Sequence, residues 1–291
     1  MTTQDSVPPA SADASRGRSI KERDILDFGD QLTPIERWQI QFVRRSFERL
    51  GADRAIRTLQ RHVGANWIEY SIRNLRHVHG LERMPQLDPS KSYLCVSNHR
   101  SFFDLYVITA YLVKRGMPHR LVFPVRSKFF YDTKLGFAVN GLMSFYAMYP
   151  PVFRERQRAA LNLASLDEVV RLLRRGGSFV GIHPEGQRNK GDDPYELLPA
   201  QSGVGRVIQA SKATVLPVFI NGLGNDIVKQ VSSNFTRTGN DVNVVFGAPV
   251  DFGDLLDRAP SPRLHREISE RAMSAIRDLG EEERALRAAH T

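Results

Sequence analysis

From about residue 90 onward, short apolar runs alternate with stretches of helical period, and this alternation organises the chain. Strand-like runs fall at 93–97, 121–125, 145–152, 178–183, 215–220 and 242–246. Apolar positions recur at helical spacing over 102–114, 134–143, 161–175 and 203–211, and a last helix is expected over 263–279. The pattern predicts an α/β domain with a mostly parallel central sheet flanked by helices. Gly176-Gly177 supplies a helix stop. Pro217, inside the 215–220 run, removes a ladder donor, which predicts an edge strand or an irregular site.

The N-terminal part reads differently. Residues 1–30 are rich in Ser, Ala, Asp, Arg and Pro, the composition of a disordered tail. Thr33-Pro34-Ile35-Glu36 then reads as a capping box with proline in the first turn. Ile35, Trp38, Phe42, Val43, Phe47 and Leu50 follow at helical spacing. After Gly51 a second amphipathic stretch carries Ile56, Leu59, Val63, Trp67, Ile68, Ile72 and Leu75 and ends near Gly80. The expected organisation is a disordered tail over 1–30, an amphipathic helical hairpin over 31–85, an α/β domain over 86–280, and a charged C-terminal tail over 281–291.

Charge changes this picture. The net charge of the 291-residue chain is +9, which points to an anionic partner. Residues 31–83 carry ten Arg against five acids, so the hairpin holds over half of that charge. Its apolar faces either pack on the main domain, with the arginines solvated, or lie in a lipid boundary with Arg at the headgroups. No apolar run reaches about 18 residues, and 135–153 is broken by Asn140 and Pro150-Pro151, so no membrane span is expected. With no signal peptide visible, the expected location is peripheral, at the cytoplasmic face of a membrane. The single cysteine, Cys95, excludes an intramolecular disulfide and a cysteine-based zinc site.

Two strand ends carry candidate chemistry. Tyr93-Leu94-Cys95-Val96 delivers Asn98-His99, and Asp104 follows five residues after the histidine. Residues five apart sit about 140° around a helix, so the two side chains meet only if His99 lies in the turn before a helix that Asp104 opens. The carboxylate would then hold one imidazole nitrogen and leave the other basic. Near the end of 178–183 stands His183-Pro184-Glu185-Gly186-Gln187-Arg188-Asn189. Ligands of open α/β sheets bind at the carboxyl ends of strands, so both clusters are expected at one crevice. Gly186 allows close backbone approach and Arg188 offers a forked donor to phosphate, while Glu185 is expected to orient Arg188 or the loop backbone. A third block, Phe153-Arg154-Glu155-Arg156, presents two arginines around an acid. Neither cluster offers a clear metal-ligand set, so no metal is expected.

Asn98-His99 with Asp104 resembles the Asn-His-x4-Asp signature of the glycerolipid acyltransferases, the 1-acylglycerol-3-phosphate and glycerol-3-phosphate acyltransferases. Pro184-Glu185-Gly186-x-Arg188 is similar to that family's Phe-Pro-Glu-Gly-Thr-Arg-Ser, and Leu216-Pro217-Val218 to its apolar-Pro-apolar block. The likeness covers roughly 90–220 and departs at His183, Gln187 and Asn189, where the family commonly has Phe, Thr and Ser. It implies acyl transfer from acyl-CoA or acyl carrier protein, with no cofactor, to the hydroxyl of a lysophospholipid or glycerol phosphate. His99 would be the general base, oriented by Asp104. Asn98, Glu185, Gly186, Arg188 and either Arg154 or Arg156 would hold the acceptor, Arg156 being favoured. Phe102, Phe103, Phe129, Phe130, Phe137, Leu142, Phe145 and Tyr146 are candidates for an acyl-chain groove. A serine hydrolase is disfavoured by the lack of a Gly-x-Ser-x-Gly elbow. The non-enzymatic alternative is a basic binder of membrane or nucleic acid, although no nucleic-acid-binding motif is present and no such partner is expected.

Overall fold

In the computed structural model, which describes residues 23–127, 134–153 and 155–290, seven strands form one sheet in the order β1-β7-β6-β2-β5-β3-β4. These are β1 (Arg76–His79), β2 (Tyr93–Ser97), β3 (Arg120–Arg126), β4 (Met148–Val152), β5 (Ser178–Ile182), β6 (Thr214–Asn221) and β7 (Val242–Phe246). The five strands from β6 to β4 are mutually parallel, while β7 runs antiparallel to β6 and β1 parallel to β7. The helices are α1 (Pro34–Glu48), α2 (Leu50–Leu59), α3 (Ala65–Ile72), α4 (Asp104–Lys114), α5 (Lys134–Ser144), α6 (Ala159–Arg175), α7 (Ser202–Ser211), α8 (Ile227–Thr236) and α9 (Pro262–His290). They cover both faces of the sheet. One core packs α1, α6, α7 and α9 on one face, and a second packs α3 and α4 on the other. Burial on both faces explains why the inner strands read as continuous apolar runs.

The N-terminal helices are tied to the sheet. Thr33 and Glu36 exchange both capping-box hydrogen bonds at the start of α1. Ile40, Val43 and Phe47 enter the core. Trp38 and Phe42 stand on the outer face, so the apolar positions of α1 form two stripes rather than one. Arg120, fully buried on β3, donates to Asp53 of α2 at 3.0 Å and lies over the Phe47 ring. A π turn at Gln60–Gly64 joins α2 to α3.

Four expectations are corrected. Residues 23–30 are ordered rather than part of a disordered tail, because Ile25 is fully buried and Asp24 pairs with Arg44, which also reaches Glu168 on α6. The second amphipathic stretch does not remain helical to Gly80: residues 76–79 form β1, pairing in register with β7. Pro217 sits on an interior strand. Its carbonyl accepts from the Gly247 amide just past the end of β7, so its missing N–H faces the side where ladder pairing has stopped. Finally, α9 continues to His290 instead of ending at Leu279. Gly280 is no helix stop: a Cβ there would lie 3.0 Å from the Phe219 ring, so glycine permits close packing of α9 on β6.

Candidate active site

Parallel pairing of β2 with β5 sets the site. Val96 is in register with Ile182, so the residues leaving the two strands, Ser97 to His99 and His183 to Glu185, emerge side by side at the carboxyl edge. Asn98, fully buried, clamps the exit: its side chain donates to the Ile220 carbonyl and accepts from the Ile220 amide, both at 2.8 Å. It extends the β2–β6 ladder by one side chain.

His99 lies in the turn and Asp104 is the first residue of α4. His99 Nδ1 donates to Asp104 Oδ2 at 3.1 Å. The same oxygen accepts the Arg100 and Ser101 amides at 2.8 Å each, a carboxylate seated at a helix N-terminus. Asp104 is buried, and burial pushes its carboxyl up to about 6 against the pull of nearby imidazole and backbone donors. The His99 side chain keeps about a fifth of its surface exposed.

The second strand end holds His99 from behind. Glu185 Oε1 accepts the His99 amide at 2.7 Å and Oε2 accepts the Leu198 amide at 3.0 Å. Burial raises the Glu185 carboxyl while those two donors lower it. The Asn189 amide donates to the His99 carbonyl at 2.8 Å. Thus both backbone polar groups of His99 are fixed by the 183–189 loop. Gly186 sits at φ 70°, where a side chain would be strained, and its amide closes a turn onto the His183 carbonyl at 3.0 Å. The His183 ring stacks on the His99 ring, centroids 3.7 Å apart and planes within 5°. His183 Nδ1 donates to the Ser97 carbonyl at 3.1 Å. Burial, followed by the neighbouring His99 charge, lowers its pKa to about 3.

Asp104 also reaches the wall of a cleft of about 260 Å³, lined by Arg100, Asp192, Asn221, Gly222 and Gly224 among others. Arg188 stands exposed at the rim, donating to Asn225 at 2.9 Å, and Asn225 in turn donates to the Arg100 carbonyl. Asn221 is anchored from below by Glu283 of α9, a fully buried carboxylate that also holds Tyr195, Asn243 and Arg287.

His99, Asp104 and His183 bring ligand-type atoms within 4.8 Å of one another. Their geometry does not suit a shared metal. Imidazole lone pairs lie in the ring plane, and two rings stacked in parallel cannot aim theirs at one ion about 2 Å away. The group suits proton transfer instead: a carboxylate holds Nδ1 of His99, the arrangement of an oriented imidazole base.

Of the residues expected to hold an acceptor, Asn98 and Glu185 are spent on the scaffold, since their polar atoms are satisfied by backbone partners. Gly186 and Arg188 are exposed on the loop that follows β5. Arg156 opens a short 3-10 turn after β4, three strands from β2 and so about 14 Å along the edge. Its side chain, and Arg154 altogether, lie outside the described residues. Phe129, Phe130 and the Phe137 side chain also lie outside them. Phe102 packs edge-on to Phe103 and beside Tyr106, whereas Leu142 is on the outer surface. The sequence reading missed His183 as a partner of His99. The available signal was positional: His183 follows β5 as Asn98-His99 follows β2.

Comparison with known proteins identifies the class to which this sheet and its site belong. The acyltransferase family model matches residues 75–221, half of the chain, and the protein belongs to that family of enzymes. Among solved structures it is similar to the crystal structure of the 1-acyl-sn-glycerophosphate (LPA) acyltransferase PlsC from Thermotoga maritima. Identity is 19% and the TM-score 0.52, over 89% of this chain and 94% of that one, a likeness of fold. The comparison with curated proteins gives no match.

Proposed function

We propose that the protein transfers a fatty acyl group from a thioester, on coenzyme A or acyl carrier protein, to the free hydroxyl of 1-acylglycerol 3-phosphate. The observation that carries this reading is the His99–Asp104 pair, 3.1 Å apart, with Asp104 and Arg100 in the wall of a neighbouring cleft. His99 takes the proton of the acceptor hydroxyl as the oxygen attacks the thioester carbonyl, and Asp104 stabilises the resulting imidazolium. The tetrahedral intermediate collapses with loss of the thiolate, to which the proton returns. No enzyme nucleophile is needed, because the thioester is already activated. Arg188 and Arg100 are the cations placed to meet the acceptor phosphate, a role that suits guanidinium forks. The similarity of fold to an LPA acyltransferase favours the same acceptor here.

A membrane surface is the natural source of such a substrate. Trp38, Phe42, Arg45 and Arg49 recur on the outer face of α1, all exposed, and Phe42 packs against Tyr146 at 5.2 Å. Aromatic rings and arginines on one exposed helical face fit the lipid boundary. Among the described residues no helix is long and apolar enough to cross a bilayer.

The deciding assay is thiol release from palmitoyl-CoA with lysophosphatidic acid, glycerol 3-phosphate or no acceptor, for the wild type and His99→Ala. Release that requires lysophosphatidic acid and falls at least about 10²-fold in the variant is expected. Undiminished turnover by a folded His99→Ala protein would remove His99 as the base. Release with glycerol 3-phosphate alone would reassign the acceptor.

A further inference from the structure

His183 neither donates to nor accepts from Asp104, yet its ring is the surface on which His99 rests. A hydrogen bond from Nδ1 to Asp104 does not by itself set the tilt of an imidazole ring, because the second torsion of histidine is broad rather than sharply staggered. A flat partner at van der Waals distance closes that freedom.

We propose that His183 is a positioning residue for His99: the stacked ring confines the His99 imidazole to the plane in which one nitrogen meets Asp104 and the other is left for the reacting proton. The inference rests on His99 being the base.

Three observations converge. The rings are parallel within 5° at 3.7 Å, a contact that only two flat side chains make. The plane of His183 is itself set, by donation of Nδ1 to the carbonyl of Ser97 at 3.1 Å, with the Ser97 hydroxyl at 3.2 Å. Strand register makes this automatic, since Val96 and Ile182 are paired and Ser97 and His183 come next. Burial also keeps His183 uncharged, so the imidazolium formed at His99 meets a neutral, polarisable face rather than a second cation.

Three substitutions separate the ring from its hydrogen bond. His183→Phe keeps the flat face and loses the donor. His183→Asn keeps a donor near the Nδ1 position and loses the ring. His183→Leu fills the space without a plane. Turnover with palmitoyl-CoA and lysophosphatidic acid is read as kcat and KM separately, on variants whose circular dichroism matches the wild type. The Phe variant is expected within about 3-fold of wild-type kcat, and Asn and Leu about 10-fold or more below it, with acceptor KM little changed. Wild-type kcat in the Asn or Leu variant, equal impairment of Phe and Asn, or a loss carried by KM would overturn the proposal. If Asn fails to fold, Leu carries the comparison.

A second readout does not depend on turnover. With histidine ring carbons labelled, the His99 ring signals are expected to show the upfield displacement of a stacked ring in the wild type and in His183→Phe. That displacement should vanish in His183→Asn and His183→Leu, and its persistence there would equally refute the stack. A wild type silent toward lysophosphatidic acid would count against the function proposed above and leave this spectroscopic arm to decide the role of His183.

Discussion

Glu185 separates two accounts of the second strand end. Resemblance places it among the acceptor-binding residues, whereas its two oxygens are bonded to the amides of His99 and Leu198 at 2.7 and 3.0 Å. Replacing it with Ala leaves two part-buried backbone donors without their acceptor. Each costs about 1–3 kcal/mol, so the total loss is about 2–6 kcal/mol. Glu185→Gln keeps one acceptor but turns an NH2 group toward the other amide, for a loss of about 1–3 kcal/mol. With an unfolding entropy near 2.1 cal/mol/K per residue, a chain of 291 residues loses about 1.6 °C in Tm per kcal/mol. The expected drops are therefore about 2–5 °C for Gln and about 3–10 °C for Ala, read by differential scanning calorimetry. Because the lost bond positions His99, kcat should fall in both while the acceptor KM stays within about 2-fold. An unchanged melting temperature together with a raised KM for lysophosphatidic acid would show that the carboxylate meets substrate and that the scaffold reading is wrong.

Asp104→Asn removes the charge that offsets the imidazolium, and kcat should fall about 10²- to 10⁴-fold in the acyl-transfer assay. In the wild type, burial holds the Asp104 carboxyl up to about 6, so it gains a proton as pH falls through that value. The kcat/KM profile should accordingly rise with pH through about 6, and a flat profile from pH 5 to 7 would contradict the role of the carboxylate. Arg188→Ala should raise the KM for lysophosphatidic acid about 10-fold or more and leave hydrolysis of acyl-CoA by water unchanged. Trp38→Asp combined with Phe42→Asp should abolish flotation with anionic liposomes and lower the melting temperature only slightly, since Trp38 lies on the outside of α1 and Phe42 gives up an edge contact with Tyr146.

The strand–helix alternation, the capping box at Thr33 and the junction that joins His99 to Asp104 were legible because each depends on neighbours in sequence. A histidine and an acid five residues later can meet only across a strand-to-helix turn, a condition set by local spacing. What escaped notice depends on partners far along the chain. Residues 76–79 become a strand because β7, more than 160 residues away, offers a free edge. Glu283 continues the buried face of α9 one turn beyond Leu279, but as a carboxylate that face is invisible to a search for apolar spacing. Its partners Tyr195, Asn221 and Asn243 come from elsewhere in the fold.

The division at the site is the same. By itself the sequence determined the candidate residues at two strand ends and the α/β sheet that presents them, because strand period, turn residues and motif spacing are short-range properties. Only the tertiary structure decided what each of them does. Pairing of β2 with β5 turned Glu185 and Asn189 into anchors for the His99 backbone and brought His183 face to face with its ring. Pairing of β2 with β6 spent Asn98 on the Ile220 backbone. The physical reason is that a buried polar group must find its partner wherever the fold places one, and no spacing along the chain records that choice.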